Sequence, residues 1–298
     1  MIIRTTGPVT PELHVMGDIG LPSFLIEAAR PAIIDAGMTC MGEHYVRHVR
    51  QVLDGRQPAF FFLTHAHYDH CGAVAVLKNA FPEMQICCAE AGEQVLQRPR
   101  AIQTIRDLNR AGAGYLASMG SIGTSPDFEP FPIDHVIADG ETFFLGDGLN
   151  LRAIATPGHT RDSICYYVPE KKILFTGEAL GIMEDDGYIF SEWLTDYDDY
   201  RRAIKRLESL EVEVLCLGHG RILTGQDVAD YLPRAMAHCL TFREMIENTL
   251  HATGGDMEET RRRIKATEYD PRPDPKQPEF AYLLNLDAKI RAVQRLAE

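Results

Sequence analysis

The sequence holds a single tryptophan, no CxxC pair among its seven cysteines, and no apolar run near the roughly 18 residues a membrane-spanning helix needs. The last absence leaves no membrane span to be read. Residues 1–16 lack a basic patch followed by an apolar stretch, so no secretory leader is read there either. An odd number of cysteines in apolar surroundings argues against a disulfide framework and for reduced, buried thiols in a cytoplasmic protein. Basic residues are also in short supply. Lys and Arg number 30 against 43 Asp and Glu, and the formal charge of −13 sets up a field that repels phosphate backbones and anionic bilayers. Neither nucleic acid nor membrane is therefore an expected partner.

What is present is ordinary globular material, 298 residues with 45% hydrophobic and 24% charged side chains, enough to bury a sizeable core. Apolar runs over residues 23–35 and 58–63 read as strands, residues 72–80 as a helix ending before Pro82, and residues 85–89 as another strand. Helical spacing returns over about 90–125. Short apolar runs at 136–138, 141–145, 149–155, 163–168 and 171–175, separated by turn residues, read as a β meander. A helix over 197–210 with acids at its amino end and a strand over 213–217 follow. Residues 226–298 are helical in period, broken at Gly254-Gly255 and at the proline-rich 270–278. The predicted organisation is a core over 1–225 with a helical insertion near 90–125, and a helical C-terminal cap over 226–298, the two helical parts forming a wall over the site.

The informative stretch is THAHYDHCG at residues 64–72, directly after an apolar strand. In extended backbone His65 and His67 project to the same side and can reach one cation, while a turn after Tyr68 can swing Asp69 and His70 toward a second. Three later residues each follow an apolar strand: His159 in TPGHT, Glu178 in FTGEAL and His219 in LGHG. Strand ends gathered on one edge can bring such distant side chains together.

This ordered set resembles the metallo-β-lactamase superfamily, over about residues 14–225. The resemblance implies an α/β fold, a four-layer αββα sandwich with a C-terminal helical extension. It also implies two divalent metal ions, with zinc the default and iron or manganese alternatives. His65, His67 and His159 would hold the first ion, and Asp69, His70 and His219 the second. Glu178, where the family normally has Asp, would bridge them. Asp35, in the IIDAG segment, would be a carboxylate behind the ligands, and Asp69 the candidate catalytic residue. HAHYDHCG, FTGEALG and GHG together resemble the glyoxalase II-like branch and its thioesterases of the quinolone-signal response kind.

The resemblance implies hydrolysis of an acyl-thioester by a metal-bound hydroxide, an EC 3.1 activity on a small-molecule acyl substrate, with a homodimer left open. A thiolate has a conjugate-acid pKa of about 8.5 and departs unprotonated, which favours thioesters or activated esters over amides. Tyr68, between the ligands, is a candidate to face the substrate, and Ile182, Trp193, Phe280 and Leu284 are candidates for an apolar acyl pocket. Arg261, Arg262 and Arg263 are read as a solvated face, with a phosphate-bearing carrier the alternative. Competing functional readings are a lactonase, a mononuclear iron persulfide dioxygenase, and a binding or signalling protein with a degenerate metal site. Diiron flavoproteins resemble HxExDH, and here His67 takes the Glu position.

Overall fold

The computed structural model describes residues 1–118, 126–274 and 276–297. Two seven-stranded mixed sheets lie face to face. The first runs, edge to edge, through Ile2–Ile3, Ile222–Thr224, Val214–Cys216, Ile173–Phe175, Ile164–Val168, Leu149–Ala155 and Thr142–Gly146. The second runs through Gly7–Pro8, Leu13–Asp18, Leu21–Ile26, Ala32–Ile34, Phe60–Phe62, Gln85–Ala89 and His135–Ile137.

The alternation of side chains along each strand builds the layers. Phe60 and Phe62 point into the space between the sheets and Phe61 points out. Likewise Ile173 and Phe175 point in and Leu174 out. The inner layer is lined by strand residues of both sheets, with Phe24 against Phe175 and Phe62 against Tyr166 at ring separations of 5.2 and 5.3 Å. Because both faces of these strands are covered, their sequences are continuous apolar runs.

Helices cover the two outer faces. In chain order they are α1 (Gly42–Leu53), α2 (Tyr68–Cys71), α3 (Val74–Ala80), α4 (Glu90–Leu96), α5 (Pro99–Ser118), α6 (Tyr197–Leu207), α7 (Gln226–Ala252), α8 (Met257–Ile264) and α9 (Glu279–Ala297). Residues of α1, α3 and α5 pack on the second sheet, and those of α6 to α9 on the first. The result is the expected αββα sandwich with C-terminal helices. Those helices share one continuous core with the first sheet, in which Tyr231, Phe242, Tyr282 and Leu286 pack with Leu174, Leu215 and Trp193.

Two elements differ from the sequence reading. Helix α1 is absent from that reading, although Tyr45, Val46, Val49 and Leu53 form its buried stripe. The expected meander is divided, because His135–Ile137 pairs in parallel with Gln85–Ala89 in the second sheet and the chain crosses to the first only at Thr142. Alternating apolar runs specify strands but carry no signal for which sheet each joins. Of the predicted helical insertion, residues 119–125 lie outside the described residues.

Candidate metal centre

Parallel strands deliver their carboxyl ends to one edge, where loops can converge. Ile173–Phe175 and Val214–Cys216 are parallel neighbours with Phe175 opposite Cys216, so Glu178 and His219 each lie three residues beyond a paired position. In the second sheet Ala32–Ile34 runs parallel to Phe60–Phe62 with Ile34 opposite Phe62. Asp35 and Thr64-His65 thus leave the sheet side by side. The sheets are tied at this edge, where Ile164 N donates to Thr64 O at 2.9 Å and Tyr166 OH to Leu63 O at 2.6 Å.

Backbone approach fixes two of the loops. Gly158, at φ +130°, precedes His159, and a Cβ there would collide with the backbone of Tyr200. Gly177, at φ +48°, precedes Glu178, and its Cβ would stand 2.9 Å from Thr64 Oγ1. Only glycine fits both the dihedrals and the space.

Seven side chains converge as two sets that share one acid. His65, His67, His159 and Glu178 form the first, and Asp69, His70, Glu178 and His219 the second; within each set the candidate ligand atoms lie within 4.8 Å of one another. Glu178 spans them. Its Oε2 lies 3.3 Å from His159 Nε2, while its Oε1 lies 3.3 Å from His70 Nε2 and 3.1 Å from His219 Nε2. Oε1 also lies 4.0 Å from His65 Nε2, so the one carboxylate borders both sets. Asp69 Oδ2 stands 3.6 Å from His219 Nε2 on the less buried side.

The histidines are oriented from behind. His159 Nδ1 donates to the carbonyl of Glu192 at 2.6 Å, and His219 Nδ1 to that of Gly20 at 2.7 Å. Buried Asp35 accepts from Thr64 N at 2.8 Å, Thr64 Oγ1 at 2.7 Å and His70 Nδ1 at 2.9 Å. The Thr64 hydroxyl has only one proton and gives it to Asp35, so it accepts from His65 Nδ1 at 3.0 Å. In His65, His70, His159 and His219 the Nδ1 is thus committed and Nε2 faces the cluster. Asp35 is held at φ +56°, a left-handed conformation that aspartate tolerates better than most residues.

The donor set fits divalent ions. His65 Nε2 is buried and has no hydrogen-bond partner. The Nε2 atoms of His70 and His219 lie 3.2 Å apart, and His159 Nε2 lies 3.1 Å from His67 Nδ1. Two nitrogens each about 2.05 Å from one tetrahedral ion stand about 3.3 Å apart. Lone pairs facing one another at that separation need a proton or a cation between them.

Electrostatics follow the same division. Burial and the neighbouring histidines hold His65 well below the ordinary imidazole range, and burial and His159 lower His67 to about 4. Burial also lowers His159. For His70 burial opposes protonation, but the charge and hydrogen bond of Asp35 raise it well above its ordinary value. His219 is raised by its hydrogen bond to Glu178 against the pull of burial. Glu178 is held well below the usual carboxylate range, burial being outweighed by His159, His219 and His70. Ligands bind metal as neutral imidazoles and carboxylates, so an ion at the second set has a proton to displace.

Tyr68 lies half-buried beside the cluster, with its phenol pKa pushed up by the charge of Asp69, then by burial and Glu178, so that it stays an O–H donor. The proposed acyl pocket does not assemble. Trp193 is fully buried in the outer core, edge-on to Tyr197 at 5.3 Å. Phe280 and Leu284 are 43% and 57% exposed on α9, opposite its buried face of Tyr282, Leu286, Ile290 and Val293. These three large apolar residues serve the fourth layer or solvent, and one apolar period cannot distinguish such uses from a pocket. Ile182 is partly buried in a short hairpin with Phe190 opposite it. Of the three arginines, Arg262 and Arg263 pair with Glu259, and Arg261 with Asp287.

Sequence reasoning missed Glu192, Asn285, Lys289 and Tyr200. Glu192 and Lys289 are fully buried and ion-paired at 3.0 Å. The one available signal was a lysine lying on the apolar stripe of α9. All seven cysteines are buried and none is in a disulfide, and no described helix is long and apolar enough to cross a membrane.

The family model of the metallo-beta-lactamase superfamily matches residues 21–219. The chain is 27% identical over 161 residues to an atrochrysone carboxyl ACP thioesterase of Aspergillus fumigatus, covering 54% of this chain and 38% of that protein. It is 29% identical over 170 residues to the human acyl-coenzyme A thioesterase MBLAC2, covering 55% and 57%. An anaerobic nitric oxide reductase flavorubredoxin of Klebsiella pneumoniae is 23% identical over 182 residues, 61% of this chain and 32% of that one. The chain thus spans about a third to somewhat over half the length of these relatives. In fold it is similar to a metallo-beta-lactamase family protein of Thermus thermophilus, with a TM-score of 0.64 at 18% identity over 99% of this chain and 94% of that one. With the family model matched over more than half its length and the two histidine sets where the sheets meet, the chain belongs to the metallo-beta-lactamase superfamily.

Proposed function

We propose that the protein is a metal-dependent hydrolase that cleaves a thioester or an activated ester. The observation that carries this reading is Glu178, one buried carboxylate shared by two histidine sets. Divalent ions held there would supply Lewis acidity and lower the pKa of bound water from 15.7 to about 7. His65, His67 and His159 would hold the first, Asp69, His70 and His219 the second, and Glu178 both. Zinc is the default, with iron and manganese compatible with nitrogen and oxygen donors.

The chain's own groups account for the rest. Asp35, Gly20 and Glu192 fix the ring nitrogens, so little reorganisation is needed at the moment of reaction. Asp69, on the less buried side, would reach the second ion as a carboxylate, and Tyr68, whose phenol stays protonated, adjoins it in the chain. A leaving group that departs as a thiolate needs no proton donor, which suits such a site better than an amine. The likeness to two thioesterases supports the same choice.

The test compares hydrolysis of model acyl-thioesters before and after chelation, with lactones and phosphodiesters alongside. Loss on chelation and recovery with zinc, iron or manganese is expected, with thioesters turned over fastest; unchanged rates after chelation would refute the reading. The flavorubredoxin likeness favours a redox iron centre as the second reading. The form of it compatible with His67 is a mononuclear iron dioxygenase acting on persulfides, which oxygen consumption by the iron-loaded protein with glutathione persulfide as substrate would select.

A further inference from the structure

We infer that Glu192, held by Lys289 and Asn285 of α9, is a positioning residue that sets His159 for metal binding, so that the C-terminal helix is part of the metal centre. The inference rests on the metal reading above. Three contacts converge on residue 192. Its carbonyl accepts from His159 Nδ1 at 2.6 Å, leaving Nε2 turned toward His67 and Glu178. Its N–H donates to Tyr200 Oη at 3.3 Å, and that hydroxyl donates onward to the carbonyl of Glu178 at 3.2 Å. Its carboxylate accepts from Lys289 Nζ at 3.0 Å and Asn285 Nδ2 at 2.8 Å. One residue therefore connects a histidine of the first set, the shared acid and the last helix.

The arrangement is unusual for packing alone. Glu192 and Lys289 are both 0% exposed, and Lys289 is surrounded by the apolar residues of the outer core, with Phe242 5.3 Å beneath its ammonium. Buried ion pairs are commonly no better for stability than apolar residues of the same volume. What the pair does supply is a fixed place for the backbone at 192. Lys289 and Asn285 stand one helical turn apart, so their donors reach the two carboxylate oxygens separately, and together with the bond from its N–H to Tyr200 they anchor residue 192 at both side chain and backbone. Partners behind a metal-binding histidine typically change metal affinity about 10–100-fold when removed.

The experiment loads the full-length protein with cobalt(II), reads the visible absorption bands, and measures affinity by chelator competition. The double variant Glu192→Leu/Lys289→Met removes both charges together and keeps apolar volume, so thermal melting is expected to stay cooperative. Its affinity at the three-histidine site should fall about tenfold or more, with altered bands, while the second site stays near wild type. The control Glu259→Gln alters an acid of the C-terminal helices that pairs with Arg262 and Arg263 and touches no ligand. It should bind cobalt as the wild type does. Native affinity and bands in the folded double variant, or an equal loss in the control, overturns the inference. Should the double variant not fold, Asn285→Ala carries the test. A few-fold weakening at the same site is expected and unchanged affinity overturns it. Failure of the wild-type protein to bind cobalt would instead refute the metal reading itself.

Discussion

The carboxylate of Asp35 stands 2.9 Å from His70 Nδ1 and decides which nitrogen that ring turns toward Glu178. Its other two partners, the amide and hydroxyl of Thr64, extend the same control to His65. Replacing Asp35 with Ala would orphan three buried donors and place Ala at φ +56°, combining lost hydrogen bonds with backbone strain. Asn tolerates that dihedral. Asp35→Asn should therefore fold yet bind metal about 10–100-fold more weakly, as titration against a chelator would show, while Asp35→Ala should also lower the melting temperature.

Glu178→Gln keeps the shape of the shared acid and removes its charge. With only one carbonyl oxygen left to accept, the amide cannot serve both sets. Elemental analysis should find fewer ions per chain than in the wild type, and thioester hydrolysis should fall by more than about a hundredfold. Retention of a full metal complement would show that the histidines and Asp69 suffice.

Trp193 is expected to matter for stability and not for substrate. Truncation to Ala should cost about 3–5 kcal/mol by denaturant unfolding, as for other buried aromatics. Phe280→Ser and Leu284→Ser, at exposed positions, should stay within about 0.5 kcal/mol of wild type. A raised KM for long acyl chains in either serine variant would restore those residues to a substrate role.

Glu268 provides a pH signature. It is buried, and burial raises its pKa, with Glu192 adding to the rise and Lys289, Tyr282 and Tyr188 opposing it. Between the ordinary glutamate value of about 4.3 and the raised folded value, the native state holds a proton that the unfolded chain does not. Stability from this group is therefore largest below that window and declines as pH rises through it. Melting temperatures across pH should fall less steeply for Glu268→Gln than for wild type; parallel curves would mean the group titrates alike in both states.

Much of this site was legible because its chemistry is local. HAHYDH places four candidate ligands within six positions, and His159, Glu178 and His219 each follow a strand whose apolar run is plain. The layers were legible in outline, since strands covered on both faces are continuous in apolar character. What eluded the sequence depends on contacts across the fold. The parallel pairing of His135–Ile137 with the second sheet leaves no mark on its own residues. Nor does anything near Glu192 announce that its carbonyl meets His159 33 positions earlier. Trp193, Phe280 and Leu284 show the converse, residues of suitable type that the turn of a helix or the depth of a layer sends elsewhere.

The sheltered thiols give the molecule a set of internal reporters. Cys71 lies behind the histidine loop, Cys87 and Cys216 between the sheets, and Cys239 on the buried face of α7, so each layer carries its own alkylation target. Reaction at any one requires that layer to open, and the order in which mass spectrometry finds them modified would rank the layers by how readily each breathes.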